Sequence, residues 1–228
     1  DCSDVSSQLN AGIKYVRERH KAEKFIAYFQ INTNTYAPPP VLRGIYGPAL
    51  SHPDVAAVAI STRPDCAGPD AIEVLSEIKR KKDLWLELGL QSASDATLER
   101  IGRLHTVKDF EEAARRAMSA GIDVCAHVII GLPGEGMDEV LNTVRFLNSL
   151  EVWGVKFHQL QILKGTRLHA LYERGEVKPL TLEDYLDIVV DSLELLRPET
   201  VVHRLCGDSP IKYLEAPRWS ANKFEIME

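Results

Sequence analysis

Apolar residues recur along this chain with two periods that take turns. Over 4–20, "DVSSQLNAGIKYVRERH", the residues Val5, Leu9, Ile13 and Val16 repeat at helical spacing and form one stripe. "KFIAYFQ" at 24–30 is a short apolar run that reads as a strand. Prolines open a helix in "PPVLRGIYGPALSH", "VAAVAIST" at 55–62 is a strand, and Pro69 stands in the first turn of "PDAIEVLSEIKRKK". "LWLELGLQ" at 84–91 is the third strand. Two helices follow, "DATLERIG" and "DFEEAARRAMSAG", the second with Asp109 as its cap and Gly121 as its end. "IDVCAHVIIGL" is a strand, "EGMDEVLNTVRFLNSL" a helix and "WGVKFHQLQIL" a strand. "TLEDYLDIVVDSLELL" is a helix with Thr181 as N-cap and Glu183 in its first turn, and "TVVHRLC" is the last strand. The tail, about 209–228, reads as irregular. No low-complexity linker interrupts the pattern, so 1–228 is expected to be one domain.

Six strands alternating with helices predict an α/β fold with a mostly parallel sheet and right-handed crossovers. Either an open doubly wound sheet or a barrel satisfies that order. The pattern opens on a helix, which looks like a (β/α) barrel whose first strand is missing from it.

Alternation within each strand sorts its side chains between two faces. In "LWLELGLQ", Leu84, Leu86, Leu88 and Leu90 share one face, which suits packing on helices. Trp85, Glu87, Gly89 and Gln91 share the other, expected to point into a barrel. The same rule sends Val58 and Ile60 outward, with Ala57, Ala59, Ser61 and Arg63 inward. It sends Val124, Ala126, Val128 and Ile130 outward, with Cys125, His127, Ile129 and Gly131 inward. Phe25, Ala27 and Phe29 go outward, with Tyr28 and Gln30 inward. "WGVKFHQLQ" does not choose, which leaves Lys156, His158, Gln159 and Gln161 unassigned. The expected interior therefore carries Tyr28, Gln30, Ser61, Arg63, Glu87, Gln91 and His127. A purely structural barrel is filled with branched apolar side chains. Burying a charge costs several kcal/mol, roughly, unless it is paired. These groups either satisfy one another or line a polar site.

Composition narrows the function classes. The 228 residues are 45% hydrophobic and 26% charged, with a net charge of −6, which disfavours unassisted nucleic-acid binding. No run approaches the roughly 18 apolar residues of a membrane span. The four cysteines, Cys2, Cys66, Cys125 and Cys206, include no CxxC pair, so zinc-ribbon and thioredoxin motifs are absent. Reduced thiols in the cytoplasm are the default for such a set.

Several short motifs bear on chemistry. "GLPGE" at 131–135 is a glycine-rich turn in which Gly131 and Gly134 let backbone approach a ligand closely and the N–H groups of the following helix start face an anionic group; the other reading is a tight turn with Glu135 on the helix dipole. It is neither GxGxxG nor a P-loop. "STRPD" puts Arg63 and Asp65 at a strand end, where the arginine clamps a carboxylate or pairs internally. "YFQINTNTYAPP" supplies amides and hydroxyls directly after a strand. "HRLCGDSP" carries His203 and Arg204, and neither receives a role. No Ser-His-Asp order, HExxH or nucleophile elbow is present, so no catalytic side chain is named and a cofactor is the natural source of any chemistry.

Taken together, "FQINTNTYAP", "STRPD", "LELGLQSASDATLERIGRLH", "AHVIIGLPGE", "HQLQILKGTRL" and "HRLCGD" resemble the radical S-adenosylmethionine (radical SAM) superfamily, over about Val5 to Asn222. The likeness is to a bacterial group of unassigned substrate related to the elongator catalytic subunit and to oxygen-independent coproporphyrinogen oxidases. The resemblance implies a partial (β/α)6 barrel and a [4Fe-4S] cluster on a Cys-x-x-x-Cys-x-x-Cys loop after the first strand. It implies S-adenosylmethionine on that cluster, cleaved reductively to a 5′-deoxyadenosyl radical that abstracts hydrogen from substrate. An electron donor such as flavodoxin or ferredoxin is implied as partner.

Carried onto this chain, the resemblance puts Gln30, Thr33 and Asn34 beside the methionine moiety and Glu87 and Gln91 beside ribose and methionine. His127 joins this inward set. Gly131 to Glu135, including Gly134, would shape the adenine side, Gln159 to Leu163 would offer backbone to adenine, and Arg63 would meet the carboxylate. The three-cysteine motif is absent from the chain, so no metal ligand is assigned within it. The cluster cysteines and the first strand are expected upstream of Asp1, and this chain alone is expected to be inactive. Two other readings stand beside this one. The first is a non-catalytic barrel that binds a small ligand or a partner. The second is a lyase or aldolase using Lys156 or Lys164 as a Schiff-base amine.

Overall fold

Local chemistry starts and stops the elements where the pattern places them. Asp4 caps the first helix by accepting the Ser7 N–H at 2.9 Å, and Thr181 caps the last by accepting the Asp184 N–H at 3.1 Å. The computed structural model describes residues 4–222. In chain order it contains α1 (Val5–His20), β1 (Phe25–Phe29), α2 (Pro39–Ser51), β2 (Val55–Thr62), α3 (Pro69–Lys79), β3 (Asp83–Gln91), α4 (Asp95–Arg100), α5 (Val107–Ser119), β4 (Asp123–Ile130), α6 (Met137–Leu150), β5 (Gly154–Gln159), β6 (Ile162–Leu163), α7 (Arg167–Glu173), α8 (Leu182–Leu195), β7 (Val201–Arg204) and β8 (Leu214–Ala216).

These elements form two compact units. The first runs to Gly89 and adds Asp109–Val124; the second takes Leu90–Lys108 and the described residues from Cys125 onward. In the first unit β1, β2 and β3 are parallel, with Tyr28 opposite Ala59 and Ser61 opposite Glu87. The leucine face of β3 is sealed: Leu84, Leu86 and Leu88 are at most 1% exposed. Each such burial contributes about 1.5–3 kcal/mol. Leu42, Tyr46 and Ala49 of α2 and Val74, Leu75 and Ile78 of α3 are buried as well.

In the second unit β4, β5 and β7 are parallel, with Ile130 opposite Gln159. Helices α6 and α8 pack on each other and bury Val144, Leu147, Tyr185 and Val189. No helix among the described residues is long and apolar enough to cross a membrane.

The structure corrects three expectations. "WGVKFHQLQIL" is not one strand: β5 ends at Gln159, and β6 belongs to a separate two-stranded sheet. The tail is not irregular throughout, because β8 pairs antiparallel with β6, Ile162 opposite Ala216. That pairing, with Ile162, Val177 and Ala216 buried beside Leu168 and Leu171, forms a satellite core. Its partners are far apart in sequence, so no local period announces it. Asp109 does not cap α5. The helix starts at Val107, whose N–H bonds the Asp95 carboxylate at 2.7 Å, and Asp109 sits in the first turn.

Candidate functional site

In the first unit three strands bring three polar side chains to one carboxylate. Glu87, 1% exposed, accepts the Tyr28 phenol at 2.6 Å and the Ser61 hydroxyl at 3.0 Å on Oε2. Its Oε1 accepts the Trp85 indole N–H at 3.1 Å. Tyr28, Ser61 and Glu87 come from neighbouring strands, and Trp85 lies two residues before Glu87, so the shared face follows from alternation and register. Three donors satisfy both oxygens of this buried carboxyl group. Sequence reasoning placed Trp85 on this face without seeing it as a donor.

The loop after β1 is built around Asn34. Its amide donates to the Phe29 and Ser61 carbonyls, each at 2.9 Å, and its own carbonyl accepts the Tyr46 phenol. Burial raises the Tyr46 pKa, which keeps that phenol a donor. Thr35 bonds the Thr62 hydroxyl and the Cys66 carbonyl, each at 2.6 Å. Asn34 therefore shapes the loop rather than extending from it. Gln30 is exposed and Thr33 half-buried, and among the described residues neither side chain is taken up by another. Arg63 forms a two-point ion pair with Asp65, Nε at 2.9 Å and Nη2 at 2.6 Å. Of its two sequence readings the structure displays the internal pair. Burial raises the neighbouring Cys66 thiol pKa.

In the second unit Gln91 ends β3 with φ 72°, a left-handed conformation that costs a non-glycine residue roughly 1–2 kcal/mol. Ser92 donates to the Glu135 carboxylate, and Arg100 Nη1 donates to the Pro133 carbonyl at 2.7 Å. The Q91–S94 turn and the GLPGE turn are thus tied together, a link that 40 or so residues of separation hide from any local motif. Gly131 (φ 90°) and Gly134 (φ 81°) hold the turn in conformations that favour glycine. The start of α6 is already occupied, because the Gly136 N–H donates to Glu139 at 2.8 Å and holds that carboxyl below the usual range. The Glu135 carboxylate, two residues before α6, also takes the Ser92 hydroxyl. His127 stacks at 5.3 Å, centroid to centroid, on His158. Gln159 accepts the Gly207 N–H at 2.7 Å and donates to the Gly207 carbonyl at 3.0 Å, both buried. It pins the segment after β7.

The model of the radical SAM superfamily matches residues 9–147, and that of the Radical_SAM C-terminal domain matches 152–228. The chain belongs to the radical SAM superfamily. It is 40% identical over 224 residues to YtqA of Bacillus subtilis, covering 98% of this chain and 70% of that one. It is 36% identical over 209 residues to YhcC of Escherichia coli, covering 91% and 68%. Among solved structures, an archaeal Elp3 from Methanocaldococcus infernus matches with a TM-score of 0.81 at 20% identity, over 92% of this chain and 55% of that one. At that identity the likeness shows the fold: α/β, with parallel strands of the partial TIM-barrel type. Coproporphyrinogen III oxidase (HemN) from Escherichia coli, a radical SAM enzyme, matches with a TM-score of 0.56 at 14% identity over 71% and 37%.

Radical SAM proteins are enzymes that use S-adenosylmethionine and a [4Fe-4S] cluster. Among the described residues no group of three His, Cys, Asp or Glu is placed to hold a metal ion, and Cys66, Cys125 and Cys206 form no disulfide. These residues do not fit a cluster.

Proposed function

We propose that the full-length protein is a radical SAM enzyme that takes a hydrogen atom from a substrate still to be identified, its cluster held by cysteines upstream of Asp1. The match of the superfamily model to residues 9–147 carries this reading. S-adenosylmethionine held beside Gln30 and Thr33 would supply a carbon radical on taking one electron from the reduced cluster. The chain's own part is to bind and orient a small polar ligand. In the first unit Gln30 and Thr33 offer amide and hydroxyl groups, while Asn34 and Glu87 fix the loop and the strand face behind them. Arg63, held by Asp65, stands at the end of β2 as a further cation for the ligand carboxylate.

Full-length protein, purified and reconstituted without oxygen, is expected to release 5′-deoxyadenosine when given dithionite and S-adenosylmethionine. A reconstituted protein that carries the cluster and releases none sinks the enzyme reading. A second reading is a barrel that binds a small ligand or a partner without catalysis, with the Tyr28, Ser61 and Glu87 face as its polar wall. Full-length protein that takes up no iron yet binds S-adenosylmethionine is the outcome that reading expects.

A further inference from the structure

The strands of the second unit carry bases and no acids. From Cys125 onward β4, β5 and β7 contain His127, Lys156, His158, His203 and Arg204, and neither Asp nor Glu stands among their residues. Register gathers most of these bases on one side of the sheet. Lys156 lies opposite His127, and His158 follows Lys156 by two residues, which returns a side chain to the same face. On β7 the register passes from Val202 opposite Val155 to Arg204 opposite Lys156, stepping over His203. A bulge of this kind re-aims the side chains beside it. Here it puts Arg204, and not His203, next to Lys156.

The face is built and held. Lys156 is 7% exposed. His158 stacks on His127, and its Nδ1 occupies the space that a side chain on Gly207 would need, 2.7 Å from the place of a Cβ. Gln159 clamps that glycine by its N–H and its carbonyl. His127, Lys156 and His158 all have partners within the protein. Arg204 differs from them: it is half-buried, and among the described residues its guanidinium makes no hydrogen bond or ion pair. A lysine and an arginine side by side repel, the more so away from bulk water, and an anion seated between them turns that repulsion into attraction.

We infer that Lys156, His158 and Arg204 form the seat of an anionic group, a carboxylate or a phosphate, on the substrate. The inference rests on the enzymatic reading only in calling the ligand a substrate. The fork of the Arg204 guanidinium matches two oxygens of such a group, Lys156 adds a point charge, and the His158 imidazole adds an N–H.

Full-length protein with isotope-labelled histidine, titrated with inorganic phosphate and in parallel with succinate at constant ionic strength, tests the seat by NMR without cluster or turnover. The His158 ring signal is expected to move saturably, with half-saturation at or below about 10 mM for at least one of the two anions. The anion that binds more tightly identifies the group. Arg204→Gln leaves no partner stranded, so it is expected to fold and to weaken binding at least about tenfold. Shifts no larger than those from added sodium chloride would overturn the inference, and so would an unchanged affinity in Arg204→Gln. Displacement of the anion by excess S-adenosylmethionine would hand the seat to the cofactor and overturn the substrate assignment. Protein that binds the anion here and releases no 5′-deoxyadenosine keeps the seat and loses the enzyme; the reverse result keeps the enzyme and loses the seat.

Discussion

At the scale of single residues, Glu87 is where chemistry and architecture meet. Its carboxylate gathers donors from β1, β2 and β3, so removing it leaves a phenol, a hydroxyl and an indole N–H to find other partners. Glu87→Leu is expected to lower the stability of the protein by about 3 kcal/mol, and Tyr28→Phe, which removes one half-exposed donor, by about 1 kcal/mol. Urea denaturation of both variants checks the ratio; equal losses would mean that the carboxylate is not the shared acceptor. Gly134 gives a second residue-level test. A methyl group there would sit 2.1 Å from Arg100 Nη1 on a backbone at φ 81°. Gly134→Ala is expected to cost about 2 kcal/mol. Adding Arg100→Ala should recover the steric part and leave the cost of the backbone, a partial rescue visible in thermal midpoints.

At the scale of elements, α1 hangs on two carboxylates. Asp4 caps its start, and the Ser7 hydroxyl and N–H hold the Asp4 pKa below its ordinary 3.8. Asp54 pairs with Arg17 near its end, and that guanidinium holds the Asp54 pKa down in the same way. A carboxyl whose pKa is depressed in the folded state stabilises it above the unfolded value and loses that contribution as pH falls through the folded value. Both ties are therefore intact at neutral pH and weaken only below about pH 3.8. Amide NMR from pH 6 downward is expected to show α1 fraying below that point, before the buried leucine face of β3 responds. Fraying at pH 5 would assign the attachment of α1 to some other group.

At the scale of the whole chain, the sequence belongs to the radical SAM superfamily. A net charge of −6 does not favour RNA binding, and at 20% identity the likeness to Elp3 carries the fold and not an RNA partner.

Much of the arrangement was legible before any coordinates. Strand faces follow from a period of two, so the sealed leucines of β3 and the shared face of Trp85 and Glu87 needed only counting. Helix starts at Asp4 and Thr181 and the tight turns at Gly131 and Gly134 are written in residue type, because capping and positive φ are local matters. Family membership was legible in the order of "ELGLQ" and "GLPGE". What the tertiary structure decided depends on residues distant in sequence. It joined Glu87 to Tyr28 and Ser61, set Asp65 against Arg63, gave α5 its cap from Asp95, tied Gln159 to Gly207 and paired β6 with β8. Each of those contacts is chosen by where strands and loops come to lie. A polar side chain on an inward face has many chemically equal partners until the fold leaves it one.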